Sequence, residues 1–243
     1  MRRVSVVAHR GASGCCPENT GAALREAVRL QVEVIEFDVQ LTADGQGVLL
    51  HDPTVDRTTN GTGAAATLSL AELQSLDAGS WFAPRFAGER LLSLEEALDL
   101  VPDSIRLNVH VKAGPADRDR VVPLTVRELS RRGRLSTAFV ASDQESLAMA
   151  RRVEPGVEIC NLSTEPADSY VRRSEGIGCR ILQPGNGMTT PALVAEAHRR
   201  GMEVNPFYAD EEAEMLRLIE CGVDGILTNE PERLQSLRRR WGG

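Results

Sequence analysis

Short apolar runs rich in β-branched residues alternate along the chain with amphipathic stretches of helical period, the pattern of βα units around a parallel sheet. The runs predicted as strands are Val4 to Ala8, Val32 to Val39, Arg106 to Lys112, Thr137 to Ala141, Val157 to Asn161, Cys179 to Gln183, Glu203 to Ala209 and Gly225 to Thr228. Eight strands in that alternation predict a (β/α)8 TIM barrel, which chains of 243 residues build around one continuous core, so one domain over residues 1–243 is expected. A further run, Val48 to His51, follows Thr42-Ala43-Asp44-Gly45. The Asp-Gly pair predicts a hairpin that folds this run back antiparallel on the second strand.

Helix boundaries are marked by caps. Asn19 or Thr20 can cap a helix with Ala23, Leu24, Ala27 and Val28 on one face, and Ser93-Leu94-Glu95-Glu96 carries the capping-box pattern. Asp210 precedes Glu211 and Glu212, which suit the positive end of a helix dipole, and Gly222 ends that helix. Gly133 and Gly201 each follow basic residues suited to a helix end. Residues 53–90 hold no barrel strand. Ser69-Leu70-Ala71-Glu72 can start a short helix there, and Trp81, Phe82 and Phe86 cluster after it, which predicts a small insertion at the barrel mouth. Its aromatics either pack over the barrel or close as a lid over a ligand.

The polar residues that break this pattern sit at the ends of the strands. Val6-Val7-Ala8 runs into His9-Arg10-Gly11, Val34-Ile35 into Glu36-Phe37-Asp38, Val48-Leu49-Leu50 into His51-Asp52, and a later run carries Asn108-Val109-His110-Val111-Lys112. Reactive groups of a (β/α)8 barrel gather at the C-terminal rim. Side chains alternate along a strand, so Glu36 and Asp38 share one face, as do Asn108, His110 and Lys112. Two carboxylates in one space repel, and one retains a proton unless a hard divalent cation keeps both ionised, so a metal is the economical explanation. Three of the four histidines, His9, His51 and His110, lie in or at the end of apolar strands. The fourth, His198, sits near a predicted helix C-terminus and reads as structural.

A net charge of −7 gives no electrostatic reason to expect nucleic acid or an anionic membrane as partner. The five cysteines lack metal-ligand spacing, which predicts free thiols, and a catalytic role for Cys15 or Cys16 is not needed. Arg2 and Arg3 precede only about five apolar residues before His9, too few for a signal peptide, so a cytoplasmic protein without stable membrane anchoring is expected. The basic tail Leu237 to Trp241 reads as a solvated helix end, and a homo-oligomer is compatible with the sequence.

Taken in order, His9-Arg10-Gly11, Pro17-Glu18-Asn19-Thr20, Glu36-x-Asp38, His51-Asp52, Leu107-Asn108-x-x-x-Lys112 and Gly222-Val223-Asp224-Gly225-Ile226-Leu227-Thr228-Asn229 resemble the glycerophosphodiester phosphodiesterases, over nearly the whole chain. The resemblance implies a (β/α)8 barrel of the PLC-like phosphodiesterase type, with its insertion after the His-Asp motif. It implies that His9 and His51 are the general acid-base pair, that Glu36 and Asp38 bind a divalent metal, and that Arg10 and Lys112 contact phosphate. The implied reaction is metal-dependent hydrolysis of glycerophosphodiesters, or similar small phosphodiesters, to a phosphomonoester and an alcohol.

Two positions depart from the family pattern. His110 stands where the family normally has a third acidic ligand. Imidazole removes a negative charge and softens the site, which favours Mn²⁺, Zn²⁺ or Fe²⁺ relative to Ca²⁺. The expected metal set is Glu36, Asp38 and His110 around one divalent ion, Mg²⁺ or Mn²⁺ in preference to Ca²⁺ or Zn²⁺. Two other readings place His110 on substrate, or make it the mark of an impaired site. Phe207-Tyr208-Ala209-Asp210 aligns with a family Trp-Thr-Val-Asn segment, and Phe207 is expected as an apolar wall for the substrate alcohol or as plain packing. Competing functions are a phospholipase D-like lipid headgroup phosphodiesterase, sugar isomerisation on a metal-binding barrel, and a phosphate-ligand binding module.

Overall fold

The computed structural model describes residues 3–163 and 169–241; Arg2 lies outside them, as does the side chain of Trp241. Its strands are β1 (Ser5–Ala8), β2 (Val34–Leu41), β3 (Gly47–Leu49), β4 (Arg106–Val111), β5 (Ala138–Ser142), β6 (Glu158–Ser163), β7 (Ile181–Pro184), β8 (Glu203–Val204) and β9 (Gly225–Thr228). All but β3 run parallel, in the order β8-β7-β6-β5-β4-β2-β1-β9, the sequential winding of a (β/α)8 barrel. The seam between β8 and β9 is joined by Asp224 N–H to the Val204 carbonyl at 2.9 Å and Leu227 N–H to the Pro206 carbonyl at 3.1 Å.

The hairpin expected from Asp44-Gly45 forms, with β3 antiparallel on β2 and Gln40 opposite Val48. The expectation of a strand over Glu203 to Ala209 is corrected: the ladder stops at Val204. Pro184 of β7 has no N–H to give the Asn205 carbonyl, and the chain continues extended, with Asn205 N–H on Leu182 and Phe207 N–H on Pro184.

The helices are α1 (Gly21–Arg29), α2 (Leu70–Gln74), α3 (Leu94–Leu100), α4 (Arg118–Arg131), α5 (Gln144–Val153), α6 (Tyr170–Gly176), α7 (Pro191–Arg199), α8 (Glu212–Cys221) and α9 (Pro231–Trp241). Of the two cap residues proposed for α1, Thr20 caps it, which leaves the Asn19 side chain free for another use. Ser69 and Ser93 form the capping boxes of α2 and α3. Helix α8 starts after Glu211 without a side-chain cap, because the Asp210 carboxylate is engaged by Thr228 and Asn229 instead. In the tail, Arg238 pairs with Glu33 just before β2 and Arg240 with Glu212 of α8.

Strand parity sorts the core. Ile35, Phe37, Val39, Leu107, Val109, Val111, Val140, Ile159 and Ile226 face the helices in the main apolar cluster. The alternate positions Val7, Val34, Phe139, Ala141, Cys160, Ile181 and Leu227 fill the lumen, so polar groups of the same faces remain at the rim. The segment between β3 and α3 has its own small cluster of Val48, Leu50, Val55, Ala65, Leu73, Ala78 and Leu91. Its aromatics do not do this packing. Phe82 stacks edge-on between Trp81 and Phe86 at 5.6 and 5.7 Å, with Trp81 40% exposed. No helix of the described residues is long and apolar enough to cross a membrane.

Phe37 is wholly buried between barrel and helices, so Phe37→Ala should lower unfolding stability by about 3–5 kcal/mol in urea melts. A change below about 1 kcal/mol would contradict its place in a close-packed layer.

Candidate active site

Strands β2 and β4 lie side by side with Glu36 opposite Asn108 and Asp38 opposite His110. The shared parity of these positions turns all four side chains into the barrel. His110 Nδ1 stands 3.0 Å from Asp38 Oδ1 and 3.9 Å from Glu36 Oε1, and Lys112 Nζ stands 3.3 Å from Asp38 Oδ1. Glu36 and Asp38 are each only 1% exposed, so their charges depend almost wholly on these neighbours.

The two carboxyls divide as like charges in a buried site must. Burial, reinforced by Asp38, raises Glu36 above the ordinary carboxylate range. Burial also pushes Asp38 up, but His110, Lys112 and Arg10 outweigh it and hold Asp38 well below its usual value. His110 is lowered by its own burial, against the pull of Asp38.

A strained turn after β1 completes the enclosure. Arg10 and Gly11 both adopt positive φ, at 55° and 77°. A Cβ on Gly11 would stand 2.6 Å from the backbone carbon of Ala23, so only glycine fits where the turn meets α1. The turn aims the Arg10 N–H at Glu36 Oε2 (2.8 Å), while its guanidinium lies between Glu18 (2.8 Å) and Asp38 (3.4 Å). Asn19, also at positive φ, clamps Asp38. Its Nδ2 donates to Asp38 Oδ2 at 3.0 Å, and its Oδ1 accepts from the Asp38 N–H at 3.2 Å.

One ligand atom each from Glu36, Asp38 and His110 lies within 4.8 Å of the others, the spacing of a metal centre. The buried Asp38 Oδ1 accepts no well-aimed hydrogen bond, and neither does Asn108 Oδ1 on the neighbouring strand. An inward-facing carboxylate oxygen with cationic or imidazole nitrogens nearby but no aligned hydrogen bond, beside a second carboxylate, fits a divalent cation.

The two candidate acid-base histidines are wired differently. His9 Nδ1 meets Asn229 Oδ1 at 2.8 Å, and Asn229 Nδ2 donates to Asp210 Oδ2 at 2.7 Å. Asn229 therefore presents its oxygen to His9, which puts the imidazole proton on Nδ1 and leaves Nε2 with a lone pair. The Tyr208 ring stacks on His9 at 5.2 Å. His51 Nδ1 instead meets a carboxylate, Asp52 Oδ1 at 2.6 Å, whose second oxygen accepts from Arg57 Nε at 2.5 Å. A cleft of about 550 Å³ opens beside His51, His110, Lys112 and Asp143.

His110, Arg10 and Lys112 are thus gathered around Glu36 and Asp38, and His9 and His51 stand at the same rim. Phe207 lies apart, packed against the lumen cluster, while the aromatic on His9 is Tyr208. Sequence reading did not single out Tyr208, Asp210, Asn229 or Arg57 for these positions. Asn229 ended a recognised motif, whereas Arg57 carried no local signal. Burial raises both the Cys15 and Cys16 thiols, the latter to about 12, so neither is a thiolate nucleophile at neutral pH.

Burial and the neighbouring Arg10 depress His9 from 6.5 to about 4. An unfolded chain binds this proton between those values and the folded one does not, so stability is fully present above pH 6.5 and falls as pH drops toward 4. The loss corresponds to about 3 kcal/mol. Urea melts of metal-chelated protein should show that slope in the wild type and a flatter one in His9→Gln; equal slopes would contradict the buried neutral imidazole.

Comparison with known proteins agrees with this geometry. The profile of the glycerophosphoryl diester phosphodiesterase family matches residues 9–233. The chain is 36% identical to a glycerophosphodiester phosphodiesterase of Caldanaerobacter subterraneus subsp. tengcongensis, over 98% of each chain. It is 30% identical to one from Bacillus altitudinis, over 96% of this chain and 97% of the other. Among solved structures, an Oleispira antarctica phosphodiesterase in complex with the product sn-glycerol-3-phosphate superposes with a TM-score of 0.91 at 28% identity, covering 96% of each chain. Barrel, rim carboxylates and motif order therefore converge: the chain belongs to the glycerophosphoryl diester phosphodiesterase family and is a phosphoric diester hydrolase on a (β/α)8 barrel.

Proposed function

We propose that the chain hydrolyses glycerophosphodiesters, or small phosphodiesters like them, to a phosphomonoester and an alcohol, using one divalent metal and the His9/His51 pair. The observation that carries the reading is two histidines of opposite wiring at one rim with a Glu36/Asp38/His110 cluster and two cations, Arg10 and Lys112. The names of the relatives and the glycerol phosphate held by the Oleispira antarctica enzyme support the substrate class.

A phosphodiester is an anion whose oxygens gain charge demand in the transition state and whose departing alkoxide needs a proton. Neutral His9, its Nδ1–H held by Asn229, takes the proton of the attacking hydroxyl at Nε2. As the new P–O bond forms and the bond to the alcohol breaks, His51, held by Asp52, gives its proton to the leaving oxygen. Arg10 and Lys112 hold the non-bridging oxygens. A divalent cation held by Glu36, Asp38 and His110 would polarise the phosphoryl group when bound. The nitrogen donor suits Mn²⁺ better than Ca²⁺, which takes oxygen ligands, with Mg²⁺ also accommodated by the two carboxylates. A cytoplasmic location suits a catalyst with free thiols.

Purified protein assayed with Mg²⁺, Mn²⁺, Ca²⁺ or Zn²⁺ should release choline or glycerol phosphate from glycerophosphocholine, and His9→Ala should lower kcat by about 100-fold or more. Turnover unchanged in His9→Ala would remove it from the acid-base pair. Binding without release under every metal would make the chain a binding module.

Metal preference is checked separately by thermal melting. Mn²⁺ should raise Tm of the wild type more than Ca²⁺ does, and His110→Glu, which restores a third oxygen ligand, should reverse that order. An unchanged order in His110→Glu would place His110 outside the metal set.

A further inference from the structure

Outside the residues given roles above, the most completely used side chain near the rim is Arg57, on the segment inserted between β3 and α3. Its Nε donates to Asp52 Oδ2 at 2.5 Å, while Nη1 and Nη2 donate to the two oxygens of Glu18 at 2.8 Å each. Glu18 Oε1 also accepts from Arg10 Nη1, whose Nε faces Asp38. A continuous chain of ion pairs therefore runs Asp38, Arg10, Glu18, Arg57, Asp52, and a hydrogen bond carries it on to His51, from the buried carboxylates to one of the two histidines.

Stability alone does not account for this arrangement. The Arg57 side chain is 45% exposed, and half-exposed ion pairs contribute little because water screens them and a long side chain must be immobilised. What the guanidinium does provide is geometry. A planar fork on both oxygens of Glu18 fixes the position of Nε, and Nε then fixes the second oxygen of Asp52. With both carboxylate oxygens held, Asp52 cannot rotate away from His51, and the 2.6 Å bond to Nδ1 sets the plane of the imidazole. Hydrogen bonding to Arg57, against some burial, also lowers Asp52 to about 2, so it stays a carboxylate beside the histidine. Glu18 is itself locked, since burial opposes its charge but Arg57 and Arg10 overcome that and lower it.

We propose that Arg57 is a positioning residue: through Asp52 it orients His51 for proton delivery to the leaving alcohol, and so ties the inserted segment to the acid half of the reaction. The inference rests on the proposed function above, in which His51 is the proton donor. The inserted segment thereby contributes a clamp on a catalytic side chain, independently of whether its aromatics move.

The test uses the leaving group. A choline alkoxide needs a proton as it departs, whereas p-nitrophenolate leaves without one. Arg57→Met should lower kcat on glycerophosphocholine by about 10-fold or more with KM within about twofold, and change kcat on the p-nitrophenyl ester of glycerol 3-phosphate by less than about twofold. His51→Ala should show the same selectivity more strongly. Arg57→Lys, which keeps the charge but loses the fork, should fall between wild type and Arg57→Met, and it reads the same ratio should Arg57→Met fail to fold. Equal slowing of both esters, or of neither, would overturn the role of Arg57. Equal slowing of both by His51→Ala would instead overturn the assignment of His51 as acid, and a wild type that cleaves neither ester would overturn the proposed function itself.

Discussion

Two carboxylates held two residues apart on one buried strand set the terms for the rest of the rim. Glu36 and Asp38 point into the barrel because strand parity leaves them no other direction, and at 1% exposure water cannot screen them. Each surrounding feature answers that constraint. Arg10 enters a left-handed backbone conformation to bring its N–H to Glu36 and its guanidinium to Asp38. Asn19 gives up the helix cap to Thr20 and clamps Asp38 from both sides. His110 and Lys112 arrive on the neighbouring strand at the register where Asp38 needs them. The compensation is incomplete at Asp38 Oδ1, and that incompleteness suits the site to a cation.

The same economy separates the histidines. His9 is nearly buried and leans on a neutral amide, so burial and Arg10 outweigh the groups that favour a positive charge on it. His51 is more open and leans on a carboxylate. Environment, not residue type, gives two identical side chains different hydrogen-bond partners and different exposure. Closure of the barrel matters here, because Tyr208, Asp210 and Asn229 come from the last two strand ends and reach His9 on the first only when the circle is completed.

Much of the fold was legible because strand formation is local. Gly225 to Thr228 and the Asp44-Gly45 hairpin appear where alternation and turn chemistry put them, and Ser69 and Ser93 cap as their spacing requires. The strand over Glu203 to Ala209 was misjudged beyond Val204, because Pro184 on the neighbouring strand has no N–H for the Asn205 carbonyl, although the chain stays extended. In the inserted segment, clustering in sequence does not say which side faces the small apolar core, and Val55, Ala65 and Leu73 fill it.

What the sequence determined by itself was the set of groups that share a face: Glu36 with Asp38, and Asn108 with His110 and Lys112, since a two-residue period needs no knowledge of distant chain. Motif order added the family. Only the tertiary structure decided which partner each group meets. The β2/β4 register brings His110 to Asp38; the closing strands bring Asn229 and Tyr208 to His9; and the inserted segment lays Arg57 across Asp52 and Glu18. Those pairings join residues up to 220 positions apart, and their geometry is set by packing of the whole barrel, which no local pattern encodes.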